Sequence, residues 1–244
     1  MTVIVGVLCK QGVVIGSDSS STSVTGNIST TEQNSKKVEI INKEVIMCGT
    51  GSVGINQRFI QILSKTFNDN AFKSRSKSNI DIATHITREA ILDCKNTFLN
   101  DIGYGSCVGF RRNNEYFLCE FETRTLQPEF KHESFWYVSM GSGQLIADPF
   151  LGFVRKVFWD NKQPDIEDGI FGTILALEHA IDVNPGGIGP PIQIAVLKNG
   201  EDARLLDEVE LEEHKQNVIN FENYVKEYKT IKSNIGESIP EMDK

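Results

Sequence analysis

No part of this 244-residue chain approaches the run of about 18 apolar residues that spans a bilayer, and no basic segment followed by an apolar core opens it. The expectation is therefore a soluble, cytoplasmic protein without a membrane partner. Basic residues are outnumbered, 25 Lys and Arg against 33 Asp and Glu, and the net charge of −8 is spread along the chain. With no Lys/Arg-rich block to neutralise phosphates, nucleic acid is not an expected partner. Cysteine is sparse: Cys9, Cys48, Cys94, Cys107 and Cys119 form no CxxC pair and sit in apolar segments, which suits buried thiols. The four histidines lack HxxxH or HExxH spacing, so neither a metal nor another cofactor is expected. No Pro/Gly/Ser-rich linker interrupts the sequence, and 39% apolar content at this length is enough for one sizeable core.

What is present is a succession of short β-rich runs broken by helical patterns. Val3 to Leu8 and Val13 to Ser17, separated by Lys10-Gln11-Gly12, read as an opening hairpin. After a polar stretch, Ser19 to Ser35, a second hairpin follows, Val38 to Ile41 and Glu44 to Cys48 across Asn42-Lys43. Gly49, Gly51 and Gly54 then lead into a helix carrying Phe59, Ile60, Leu63 and Phe67, and a second helix is expected from about Ile80 to Leu99. Tyr104 to Phe110 and Glu115 to Phe121 form a third hairpin, and Phe135 to Met140 another strand. Gly141-Ser142-Gly143 opens a helix to about Phe158, a further helical pattern covers Pro164 to Ile181, and Ile192 to Leu197 with Ala203 to Leu206 complete a second sheet. Two strand groups, each followed by two helices, need an α+β body layered helix, sheet, sheet, helix. That body is expected over residues 1–206. Residues 207–244 read as a helical extension, with Leu211, Val218, Phe221, Val225 and Tyr228 on a roughly heptad spacing, ending in a loose tail.

The chemistry-bearing candidate is Thr2, preceded only by Met1. Loss of Met1 gives one residue both a hydroxyl nucleophile and an α-amine, whose reference pKa of about 7.7–8.0 leaves it able to accept a proton near neutrality. By itself a second-position Thr says little. Asp18 ends the second strand and can be returned to the region of Thr2 by a hairpin whose strands are about six residues long. A lysine at the start of the third strand, Lys37 or its neighbour Lys36, would supply a cation beside the hydroxyl. Strand alternation makes that choice binary. Gly49 could offer a backbone N–H to an oxyanion with no side chain in the way.

Thr2-Val3-Ile4-Val5-Gly6, Gly12-Val13-Val14-Ile15-Gly16-Ser17-Asp18-Ser19, Lys36-Lys37-Val38 and Met47-Cys48-Gly49 together resemble the proteasome β-subunit and HslV peptidase family of N-terminal nucleophile hydrolases. Val138-Ser139-Met140-Gly141-Ser142-Gly143, and Asp182 followed by Gly186-Gly187, extend the likeness over most of residues 2–206. The resemblance implies a four-layer αββα sandwich of two antiparallel sheets. It makes Thr2 the nucleophile, Asp18 and Lys37 its charge pair, Gly49 the oxyanion donor, and Ser142 with Asp182 the support of the amine. It further implies polypeptide or peptide substrates and a homo-oligomeric ring, and leaves open an ATPase partner. The chain departs from the family in a longer segment between Asp18 and Lys37. Pro185 stands where many β-subunits carry a Ser, and the longer C-terminus resembles that of extended bacterial relatives. Two rival readings stand beside the peptidase: a non-catalytic ring subunit, and an amidase or ligase of the same nucleophile type acting on small or specific substrates. Intact-mass measurement of the purified protein is expected to give the chain lighter by one methionine residue; retained Met1 would block the amine and favour the non-catalytic subunit.

Overall fold

Valine and isoleucine dominate β1 (Ile4–Cys9) and β2 (Gly12–Ser17), and every residue of both strands is buried. A run that is apolar throughout, rather than alternating, fits strands covered on both faces. The structure, a computed structural model, describes residues 1–25, 28–69, 72, 76–99, 102–184 and 186–236. It shows both covers. On one face of this sheet, a methyl added at Gly6 would press on Cys107 and Leu118 of the second sheet; on the other, a methyl at Gly16 would press on Thr173 and Leu177 of a helix. The sheet runs β10 (Tyr137–Met140), β1, β2, β11 (Gln193–Lys198), β12 (Arg204–Leu205), with each neighbour antiparallel.

The second sheet is ordered β5 (Val38–Ile41), β6 (Val45–Gly51), β7 (Tyr104–Arg112), β8 (Glu115–Phe121), β9 (Pro128–Phe130), again antiparallel throughout. Helices α1 (Val53–Asn68) and α2 (Asn79–Asn96) cover its outer face. Their buried stripes, Ile55, Phe59, Leu63 and Phe67 on α1 and Ile82, Ile86 and Ala90 on α2, join Met47, Tyr104, Val108 and Phe121 in one apolar cluster. Ser78 and Asp81 close a capping box that starts α2. Helices α3 (Gln144–Val157) and α4 (Ile166–Val183) pack on the first sheet. The fold is thus an α+β, four-layer αββα sandwich of two antiparallel sheets covered by helices.

Sheet membership differs from the sequence reading: β10, β11 and β12, expected in a second sheet with Tyr104 to Phe121, lie instead in the sheet of β1 and β2, while β5 and β6 join β7, β8 and β9, because long-range backbone pairing rather than order along the chain sets a strand's neighbours. Three local features differ as well. The polar stretch after Asp18 is not a loop but a separate two-stranded ribbon, β3 (Ser20–Thr25) and β4 (Ile28–Asn34), because a long excursion satisfies its backbone groups by pairing with itself. Strand β6 continues through Gly49 to Gly51, paired with Ser106, Gly105 and Tyr104, so glycines that read as punctuation lie within a strand. Strand β9 has three residues, too few for a periodic signal. All five cysteines are buried and free.

Contacts divide the chain into two units, Met1–Leu206 and Asp207–Lys244. In the second, α5 (Glu208–Gly236) begins at a capping box: Asp207 Oδ1 accepts from the N–H groups of Val209 (3.0 Å) and Glu210 (2.9 Å), and the Glu210 carboxylate accepts from Asp207 N–H (3.3 Å). The helix runs past Ser233, and the rest of the expected loose tail, residues 237–244, lies outside the described residues.

Phe59 is 1% exposed and packs edge-on or tilted against Tyr104 and Phe121, each ring 5.3 Å away. Replacing Phe59 with Ala empties the join between α1 and the second sheet and is expected to cost about 3–5 kcal/mol. Denaturant titration should show a lower midpoint at an unchanged slope.

Candidate active site

Strand directions bring the ends of four separated segments together at one edge of the sandwich. β1 begins there and β2 ends there; β5 begins beside them, and β10 ends there before the turn into α3. Asp18 follows β2 and is 0% exposed. Its Oδ1 accepts from Val3 N–H (3.0 Å) and from Lys37 Nζ (2.9 Å), and its Oδ2 accepts from the N–H groups of Ser20 (3.1 Å) and Gly189 (3.4 Å). Four donors thus compensate a carboxylate removed from water, as such burial requires. Val3 is held on its other side as well, since its carbonyl accepts from Ser17 Oγ (2.9 Å) and Asp18 N–H (3.3 Å). The residue next to Thr2 is therefore fixed through both backbone groups.

Lys37 resolves the choice between neighbouring lysines. Its side chain is 9% exposed, and Nζ reaches Asp18 and, at 3.3 Å, Thr2 Oγ1. Lys36 points the opposite way, with its ammonium 2.6 Å from Glu39 and its side chain 56% exposed. A cation in direct contact with a hydroxyl oxygen is well inside the range of about 4–6 Å over which a charge acts on ionisation. Thr2 N–H donates to Ser142 Oγ (3.1 Å); the Thr2 carbonyl accepts from Gly143 N–H (3.1 Å) and from the Ser142 hydroxyl (3.4 Å). The turn before α3 therefore grips the backbone of Thr2 directly.

Met1 covers this arrangement. Its carbonyl accepts from Thr2 Oγ1 (2.7 Å) and from Lys37 Nζ (3.3 Å), and its side chain lies against Gly187. Thr2 Oγ1 and Lys37 Nζ are thus both engaged by the carbonyl of the residue ahead of Thr2. Cys48 is the other nucleophilic atom nearby, and burial pushes its thiol up to about 12 despite the hydrogen bond with Ser17 and the charge of Lys37. At neutral pH that thiol stays protonated.

Gly49 lies within β6, one residue beyond the Cys48 that pairs with Val38, the residue after Lys37. Its missing side chain has a packing reason: a methyl there would collide with Asn56 Oδ1 and the Tyr104 hydroxyl, which are bonded to each other at 2.9 Å. Asp182 is not brought in. It sits exposed in the last turn of α4 and makes no hydrogen bond or ion pair with Thr2 or Ser142, because the helix end turns it outward. Pro185, read as a lost hydroxyl near the amine, lies outside the described residues. Ser17, Ser20 and Gly189 escaped the sequence reading. Two of them act through backbone N–H groups, which every residue carries, so no side-chain type signals them. Among the described residues, no group of three or more His, Cys, Asp or Glu is assembled to hold a metal ion.

A model of the proteasome subunit family matches residues 2–188, a span containing Thr2, Asp18, Lys37, Gly49, Ser142 and Asp182. That match covers most of the chain and most of the layered body whose strand ends assemble the Thr2 cluster, stopping before β11 and β12. The chain belongs to the proteasome subunit family.

Proposed function

We propose that this chain is a threonine-type peptidase whose nucleophile is Thr2 after removal of Met1, acting on polypeptide chains in the cytoplasm within a homo-oligomeric ring. The observation that carries the reading is the contact of Lys37 Nζ with both Thr2 Oγ1 and the buried Asp18 carboxylate. In the reaction the freed α-amine of Thr2, directly or through a water, takes the hydroxyl proton while Oγ1 attacks the substrate carbonyl carbon. The oxyanion is stabilised by the Gly49 N–H and by the positive field of Lys37. Collapse of the tetrahedral intermediate breaks the C–N bond; the leaving amine takes the proton, and an ester remains on Thr2. Water, deprotonated by the same amine, attacks the ester, releases the acid and restores the hydroxyl. Ser142, bonded to Thr2 N–H and to its carbonyl, supports the orientation of the amine.

One observation favours the non-catalytic reading: the Met1 carbonyl fits between Thr2 Oγ1 and Lys37 Nζ with good geometry, an arrangement that persists if Met1 is retained. In Met1-free protein, Thr2→Ala is expected to abolish both cleavage of unfolded casein or fluorogenic peptides and covalent labelling by a threonine-directed inhibitor. Residual turnover at the wild-type rate would overturn the assignment. Lys37→Met leaves the Asp18 carboxylate buried without its cation and should destabilise the fold by about 3–5 kcal/mol as well as remove activity. Pairing it with Asp18→Asn should restore part of the lost stability, read from the denaturant midpoint, and none of the turnover. Size exclusion is expected to show an assembly larger than the monomer; a monomer alone would count against a chambered protease.

A further inference from the structure

Gln193 opens β11, with its backbone across from Ser17, the residue that precedes Asp18. Its side-chain amide uses its full hydrogen-bonding capacity. Oε1 accepts from the N–H groups of Lys37 (3.0 Å) and Val38 (3.2 Å), while Nε2 donates to Ser19 Oγ (2.6 Å) and to the Ser35 carbonyl (2.7 Å). The orientation of this amide follows from its partners. Backbone N–H groups only donate and a carbonyl only accepts, so turning the amide over would set donor against donor and acceptor against acceptor.

Lys37 stands one residue before β5, outside the paired register of that strand. A flanking residue of this kind needs another hold if its side chain is to keep one position. The ribbon β3–β4 separates Lys37 from Asp18 in sequence, and its base is closed by the Ser35 N–H bond to the Ser19 carbonyl (2.8 Å). Gln193 grips both sides of that base and the start of β5 together. The bond from Lys37 Nζ to Thr2 Oγ1 is 3.3 Å, at the long end of the useful range, so a small backbone shift breaks it.

We propose that Gln193 is a positioning residue for the Thr2 reaction: it clamps the Lys37 backbone so that Nζ stays between Asp18 and the nucleophile. It touches neither the reacting atoms nor a substrate. The proposal rests on the peptidase reading given above, and its test separates the two.

Gln193→Met keeps the length of the side chain and removes all four bonds. Gln193→Glu keeps an acceptor for Lys37 and Val38 but loses the donor to Ser35. Both variants are prepared free of Met1 and compared with wild type by native-state amide exchange and by peptide turnover, with active sites counted by a covalent threonine-directed inhibitor. In Q193M the Lys37 and Val38 amides are expected to exchange at least about tenfold faster. Turnover per titrated site should fall on the order of 10- to 100-fold, since small misplacements of a catalytic group have effects of that size. KM should stay within about twofold, and Q193E should regain amide protection together with most of the turnover. Unchanged exchange at Lys37 in Q193M overturns the clamp. A loss of activity explained wholly by fewer titratable sites, with turnover per site unchanged, overturns its effect on the reaction and leaves a merely structural role. Should Q193M not fold, Q193E decides: protected amides with near wild-type turnover support the proposal, and protected amides with lost turnover overturn it. Turnover that survives Thr2→Ala overturns the peptidase reading separately, because exchange at Lys37 and Val38 reports on the clamp without any turnover.

Discussion

A carboxylate with no access to water organises this protein. Asp18 is fully buried, and an ionised carboxyl in that position is tolerable only when its lone pairs are met and a cation stands beside it. Meeting that requirement draws in Val3 from the start of the chain, Ser20 from the base of a ribbon, Gly189 from the loop after α4, and Lys37 from the start of β5. Each donor comes from a different segment, so the charge can be satisfied only once both sheets are in place. The same demand sets the chemistry. Lys37 is present to neutralise Asp18, and Thr2 Oγ1 lies within its remaining hydrogen-bonding reach.

The long segment between Asp18 and Lys37 shows how an excursion of the chain can leave its two ends in place. Residues that could have formed a floppy loop fold back on themselves as β3 and β4, and Ser20 pairs with Asn34 at the base. The chain therefore leaves the sandwich at Ser19 and re-enters at Ser35, 2.8 Å away by backbone hydrogen bond, whatever the length of the ribbon. Gln193 fastens that junction to the first sheet. The length of the ribbon and the geometry around Asp18 and Lys37 are thereby uncoupled.

Much of the architecture was legible in the sequence. The valine and isoleucine runs of β1 and β2 announced the opening hairpin, and the spacing of Phe59, Leu63 and Phe67 announced α1. Where the reading failed, a tertiary pairing outweighed a local signal. Gly49 and Gly51 look like breaks, yet β7 pairs with them and keeps β6 extended. Ser and Thr in β3 and β4 look like loop, yet they are each other's partners. In the site, Thr2 and Asp18, with Lys37 or Lys36 as the cation, were legible because together they stand in segments that resemble the family's motifs. Gly189 and Ser20 contribute backbone N–H groups and were not.

The sequence by itself determined the order of strands and helices along the chain and the buried helix stripes, and its resemblance to a known family supplied the candidate trio of hydroxyl, carboxylate and ammonium. It did so because these depend on periodicity and on side-chain type, which are local properties. Only the tertiary structure decided that Lys37 rather than Lys36 meets Asp18, that Ser142 grips Thr2 while Asp182 stands apart, and that Gln193 ties the two sheets at Lys37. Those outcomes turn on which of two opposite strand faces points inward and on how a helix end is rotated. Sheet pairing and layer packing fix both over sequence separations as large as that between Thr2 and Ser142, where no local pattern reaches.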